Sequence, residues 1–196
     1  RARVEPGTDV RPALWAVGEL ACNRAEFAIA EDLAGRLAAA DGVIGAAGHY
    51  LLGVVGYFTG RLAAAEEHLT AAIDRLDPHD LVGQVGRLPT LATYDFRALV
   101  RSLRGDADAA RADLAAAHAL AERADDPYGR ANAALFAAWT ALQEHDVAAA
   151  HAAARRCREI GARQHMPHFV TTADFVAEWA AVRGGDDSRL TALRAA

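Results

Sequence analysis

From His49 to Ala72 the chain reads His-Tyr-Leu-Leu-Gly-Val-Val-Gly-Tyr-Phe-Thr-Gly-Arg-Leu-Ala-Ala-Ala-Glu-Glu-His-Leu-Thr-Ala-Ala, and this stretch decides the fold. Two apolar segments with helical periodicity flank Thr59-Gly60, a turn signal. Leu52 and Gly53 lie on the first segment, Gly60 at the turn, and Ala65, Leu69 and Ala72 on the second. Small residues at Gly53 and Ala65 let two antiparallel helices approach closely. Leu69 is then placed to fill the groove toward the next pair. The stretch predicts a helix pair.

Working outward, turn signals recur at Asn23-Arg24, Asp41-Gly42, Asp77-Pro78, Arg104-Gly105-Asp106, Asp125-Asp126-Pro127, His145-Asp146 and Gly184-Gly185-Asp186. Apolar positions between them recur at i, i+3, i+4 and i+7, as in Leu62, Ala65, Leu69, Ala72, Ile73 and Leu76. No alternating run and no Asn-Gly turn signals a hairpin. About nine helices and no strands are expected. Turn positions 25, 60, 105, 145 and 184 are separated by 35, 45, 40 and 39 residues. These spacings exceed the strict ~34-residue repeat, so a repeat array with helices longer than standard is the reading, and an irregular helical bundle the alternative. Residues 1–10 read as a linker or the cut edge of a longer protein. Residues 11–196 read as one repeat domain with pairs at about 11–40, 43–76, 89–123, 127–162 and 167–196. A loop is expected from Asp77 to Pro89, and a truncated last helix from Ser188 to Ala196.

Composition narrows the function. The chain has 196 residues, 53% hydrophobic and 24% charged, with a formal net charge of −5. Alanine makes up about a quarter of it and lysine is absent, so all 21 basic residues are arginine. An acidic balance argues against a phosphate-backbone binder, which needs a basic face to displace counterions. The longest apolar stretch, Val43 to Phe58, is glycine-rich and shorter than the ~20 residues of a membrane span. A soluble, cytoplasmic protein with no membrane or direct nucleic-acid contact is expected. Two cysteines, Cys22 and Cys157, cannot build a disulfide framework.

The helix pairs resemble the tetratricopeptide-repeat C-terminal region of large bacterial signalling proteins of the signal-transduction NTPase class. The segments that carry the resemblance are Gly48-His-Tyr-Leu-Leu-Gly53 with Tyr57-Phe-Thr-Gly60, and Ala65-Glu-Glu-His-Leu69 with Ala72-Ile73 and Asp77-Pro78. Asp126-Pro-Tyr128, Phe136-Ala-Ala-Trp139, Gln164-His-Met-Pro167 and Glu178-Trp-Ala180 extend it from about Arg11 to Val182. Such proteins join an NTPase module to a LuxR-type DNA-binding domain, a class III cyclase or a Ser/Thr kinase. The resemblance implies an all-α right-handed solenoid of four to five helix pairs serving as a sensory or regulatory arm. No Gly-x-x-x-x-Gly-Lys-Ser/Thr loop is present, so the NTPase module itself is not in this chain.

Catalytic chemistry finds little support in the residues. Ser102 and Ser188 are the only serines, the first near a helix end and the second at a capping position. Cys22 and Cys157 fall at inward small-residue positions. His165-Met-Pro-His168 is the densest histidine cluster, and His145 and His151 are six apart rather than four, so no metal, cofactor or catalytic residue is assigned. The first helix of each pair should line a concave groove. That places Trp15, Glu19, Tyr50, Val54, Tyr57, Asp95, Leu99, Asn132, Trp139, Asp174 and Glu178 on it. Aromatic rings among carboxylates suit a protein, a peptide or a small cationic ligand. The expected function is non-catalytic binding within a larger regulator. The alternative is a self-association scaffold acting through its convex face or an uncapped end, with a homodimer expected through that end.

Overall fold

The computed structural model describes residues 10–76 and 89–185. The segments expected as the Asp77–Pro89 loop and the truncated last helix lie outside the described residues, apart from Pro89 itself. Every described element is a helix: α1 (Arg11–Asn23), α2 (Phe27–Ala38), α3 (Gly42–Phe58), α4 (Leu62–Ile73), α5 (Pro89–Leu103), α6 (Ala107–Arg123), α7 (Pro127–Gln143), α8 (Val147–Arg163) and α9 (Pro167–Arg183). The fold is all-α. The single array expected from the sequence divides into two compact units, Arg1–Thr93 and Tyr94–Ala196.

In unit 1 each helix packs on the next, and α1 also packs on α3. This is the nearest-neighbour packing of a helical repeat. The central helix, α3, gives up side chains on both flanks. A Cβ at Gly48 would lie 2.2 Å from the Ala38 backbone nitrogen, and one at Gly53 2.5 Å from Leu69 Cγ. Leu69 therefore packs against Gly53 of its own pair. The pairs repeat with an offset of 35: Gly18 and Gly53, turn residues Ala25 and Gly60, and Ala30 and Ala65 occupy equivalent places.

Unit 2 is more regular. Helices α6 to α9 each have 17 residues. The residues between them adopt positive φ at Gly105, Asp125, His145, His165 and Gly185, a step of 20 each time. At the first four of these turns two amides bond back into the preceding helix. At the third, His145 donates to the Leu142 carbonyl and Asp146 to the Ala141 carbonyl, the paired closure of a Schellman turn. Asp106, Asp126 and Asp146 then cap the following helices by accepting from the amides of Ala109, Tyr128 and Ala149. The last turn residue is Gly185, not position 184, which brings that spacing to 40. In this unit α7 packs on both α8 and α9. The core runs through Ala131, Ala138, Ala154, Cys157, Phe169 and Val176.

Candidate functional site

On α1, Trp15 and Glu19 are four residues apart and share a face. One repeat on, Tyr50 of α3 meets Trp15, their ring centroids 5.7 Å apart. Trp15, Glu19 and Tyr57 are half-buried, whereas Tyr50 and Val54 are buried, at 7% and 4% exposure. Val54 therefore belongs to the core and not to a groove. Tyr57 lies edge-on to Phe58, which is 55% exposed and stacks on Phe27. Burial raises the pKa of the Glu19 carboxyl above the usual range. It forms no ion pair or hydrogen bond among the described residues. A partly desolvated carboxylate one helical turn from a half-buried ring is an arrangement suited to a cationic group.

Unit 1 holds a second polar contact that sequence reasoning missed. His49 of α3 and His68 of α4 bring their Nδ1 atoms to 3.0 Å, so one nitrogen donates and the other accepts. Burial lowers both pKa values. Arg75 and His68 add to the effect at His49. At His68, Glu67 and Glu31 oppose it and Arg61 reinforces it. The signal was available. His49 and His68 are nearly equidistant from the Thr59-Gly60 turn, which in an antiparallel pair sets them face to face.

In unit 2 two predicted groove residues do meet, but inside. Asn132 Nδ2 of α7 donates to Asp95 Oδ2 of α5 at 2.7 Å, with Asp95 0% and Asn132 9% exposed. Asp95 Oδ1 has no hydrogen-bond partner. Burial pushes the Asp95 carboxyl up to about 8, Asn132 pulls it back, and Asp113 pushes it further up. At neutral pH Asp95 therefore holds its proton. Beside it Asp113 of α6, 3% exposed, accepts two bonds from Arg97, at 2.7 and 2.9 Å, and one from Arg101 at 3.0 Å. This network disfavours any register of α5, α6 and α7 in which these partners fail to meet.

The remaining predicted groove residues scatter. Leu99 is 1% exposed and belongs to the core. Trp139 is half-buried, its ring 5.1 Å from Phe136, and packs on the unit 2 core. Asp174 is exposed and paired with Arg158 at 2.8 Å, and Glu178 is half-buried. The groove expectation fails for Tyr50, Val54, Asp95, Leu99 and Asn132 for one physical reason. Small residues draw the helices so close that first-helix side chains are enclosed between neighbours. Cys157 is buried in the core and Cys22 half-buried, and burial pushes both thiols up to about 11, against nucleophilic use. Among the described residues no three His, Cys, Asp or Glu side chains gather in a metal-holding group. No described helix is long and apolar enough to cross a membrane. Comparison with family models, curated proteins and solved structures finds no match to this chain.

Proposed function

We propose that this chain is a non-catalytic binding arm of a larger cytoplasmic bacterial regulator, one that engages a protein, peptide or small ligand to control an output domain elsewhere. The observation that supports this reading is the unpaired, half-buried Glu19 one helical turn from Trp15, whose ring meets Tyr50. An ammonium or guanidinium group of a partner would neutralise the carboxylate and lie against the half-buried Trp15 ring, which Tyr50 backs from within. The test is an NMR titration with arginine amide. A saturable shift of the Trp15 indole signal that disappears in Glu19→Gln is the expected result. An unchanged shift in Glu19→Gln, or no shift at all, overturns the reading.

Self-association is the second reading, and one observation favours it. Val10, Val17 and Leu20 are 41%, 50% and 54% exposed along one face of α1, an apolar strip that a second copy would cover. Val17→Glu should then abolish any concentration-dependent sedimentation. A wild-type chain that stays monomeric across the same range removes this reading.

A further inference from the structure

We infer that the face of unit 2 centred on α8 is a docking surface for an acidic, leucine-bearing segment of a partner protein. The inference rests on the reading of the chain as a binding arm but concerns a different surface, with the opposite charge. Three hollows adjoin along α8. The first, of about 470 Å³, is floored by Ala154, Ala173 and Ala177 and rimmed by His151, Arg155 and Arg158. The second, of about 250 Å³, lies between α6, α7 and α8, with Ala133, Ala137 and Ala153 in its floor and His118 and Arg156 at its edge. The third, of about 570 Å³, is polar, with Arg130, Arg156 and Arg163 set among Glu122 and Glu159. Ala152 lines both the first and the second, and Arg156 both the second and the third, so a single bound segment can reach all three.

The chemistry of the hollows specifies the occupant. Five arginines line them against two glutamates, in a chain whose formal net charge is −5. The two alanine-floored hollows contain no acidic side chain at all. Leu114 is the one large apolar side chain in their linings, and the alanines around it leave apolar space that suits the branched end of a leucine and not a phosphate. Three of the arginines are held by exposed ion pairs, Arg156 also bonding His118 at 3.0 Å, whereas Arg130 is more enclosed and pairs with Asp125 and Glu122. Arg158 meets Asp174 at 2.8 Å, Arg155 meets Glu159 at 4.0 Å, and Arg156 meets Glu122 at 3.8 Å, all with side chains about half exposed or more. Such pairs contribute little, so incoming carboxylates can replace them. Arg163 has no partner among the described residues. Charge sets orientation and encounter, and the alanine floors supply desolvated contact.

The experiment uses the full chain and fluorescence anisotropy with four probes. These are a synthetic peptide with leucines at i, i+4 and i+7 among glutamates, the same peptide with lysine for glutamate, the acidic peptide with serine for leucine, and single-stranded oligo-dT. The acidic leucine peptide should bind at least tenfold tighter than each of the other three. Arg155→Glu with Arg158→Glu, and separately Arg156→Glu with Arg163→Glu, should each weaken it more than tenfold while helix content by circular dichroism is unchanged. Arg36→Glu, on the exposed side of α2, should leave it unchanged. Equal or tighter binding of the serine peptide or of oligo-dT overturns the inference, as does indifference to both α8 double variants. Binding of the lysine peptide alone, with shifts confined to Trp15 and Tyr50, overturns it while leaving the unit 1 site intact.

Discussion

The two units bring helices together by different means. In unit 1 the backbones meet at glycine: α3 offers Gly45 and Gly48 on one flank and Gly53 and Gly56 on the other, each with a neighbouring atom within 3.0 Å of where a Cβ would stand. In unit 2 alanine carries the contacts, with Ala110, Ala117, Ala131, Ala138, Ala150, Ala173 and Ala180 all at 0–1% exposure, whereas unit 1 adds its glycines to a similar set that includes Ala30, Ala34, Ala65 and Ala72. Glycine contacts permit helices of 12, 13 and 17 residues to pack at a 35-residue offset. Alanine contacts accompany four helices of 17 residues at a constant 20-residue step. A methyl group per contact spaces the helices evenly, whereas its absence makes the fit local and intolerant of change. The polar groups differ as well. Unit 1 encloses a neutral histidine pair, and unit 2 encloses a protonated aspartate beside an ion-paired one.

The largest effect should come from the ion-paired carboxylate of unit 2. Asp113→Ala leaves Arg97, with an 11% exposed side chain, without its two-pronged acceptor. Breaking a buried pair in this way costs about 3–5 kcal/mol, measurable by denaturant unfolding followed at Trp139. In unit 1 the counterpart is Gly48→Ala, whose methyl would meet backbone atoms of Ala38 and Ala34 at 2.2 and 2.7 Å. A cost of about 3 kcal/mol is expected, the upper part of the range for overpacking. Gly35→Ala in α2 meets nothing within 4 Å and should stabilise by about 0.5–1 kcal/mol through helix propensity. Equal costs for Gly48→Ala and Gly35→Ala would remove the glycine-packing account of unit 1.

The pH dependence should run in opposite directions in the two units. Asp95 has a folded pKa raised to about 8 from 3.8, so its contribution is fully present below about pH 4 and is lost as pH rises toward 8. The slope approaches about 1.4 kcal/mol per pH unit for one proton, and Asp95→Asn should flatten it. His49 and His68 have folded values lowered from 6.5, so their contribution is present above 6.5 and is lost as pH falls below it. Unfolding curves followed at Trp15 and at Trp139 should therefore shift in opposite directions between pH 5 and pH 8. Parallel shifts would contradict both assignments.

A small effect, comparable to that of Gly35→Ala, concerns the turns. Ala25 adopts φ 57° where its repeat counterpart is Gly60. Ala25→Gly should relieve a left-handed conformation worth about 1 kcal/mol, raising the thermal midpoint of unit 1. No gain would mean that the two turns are not equivalent.

Much of the helix pattern was legible because each buried face repeats at helical spacing, and the turns at 25, 60, 105 and 145 carry local signals. The 20-residue step of unit 2 was hidden by chemistry. Asp125 and His165 occupy the same left-handed position as Gly105, yet neither is the glycine that such a position advertises. The candidate site was legible in part. Trp15 with Tyr50, and Asp95 with Asn132, are brought together as neighbours on successive first helices. Their depth was not legible, because exposure depends on how close the next helix comes, and alanine and glycine shorten that distance without changing the periodicity.

The central structural claim is that unit 2 is one turn and one helix repeated every 20 residues. Residue-resolved amide hydrogen exchange tests it most directly. The amides of Asp106, Asp126, Asp146 and Met166 each bond to a carbonyl five residues back, at 2.9–3.1 Å. They should exchange as slowly as those of the adjoining helix ends, at the same 20-residue interval. Exchange of these four amides at the rates of an open loop would contradict it.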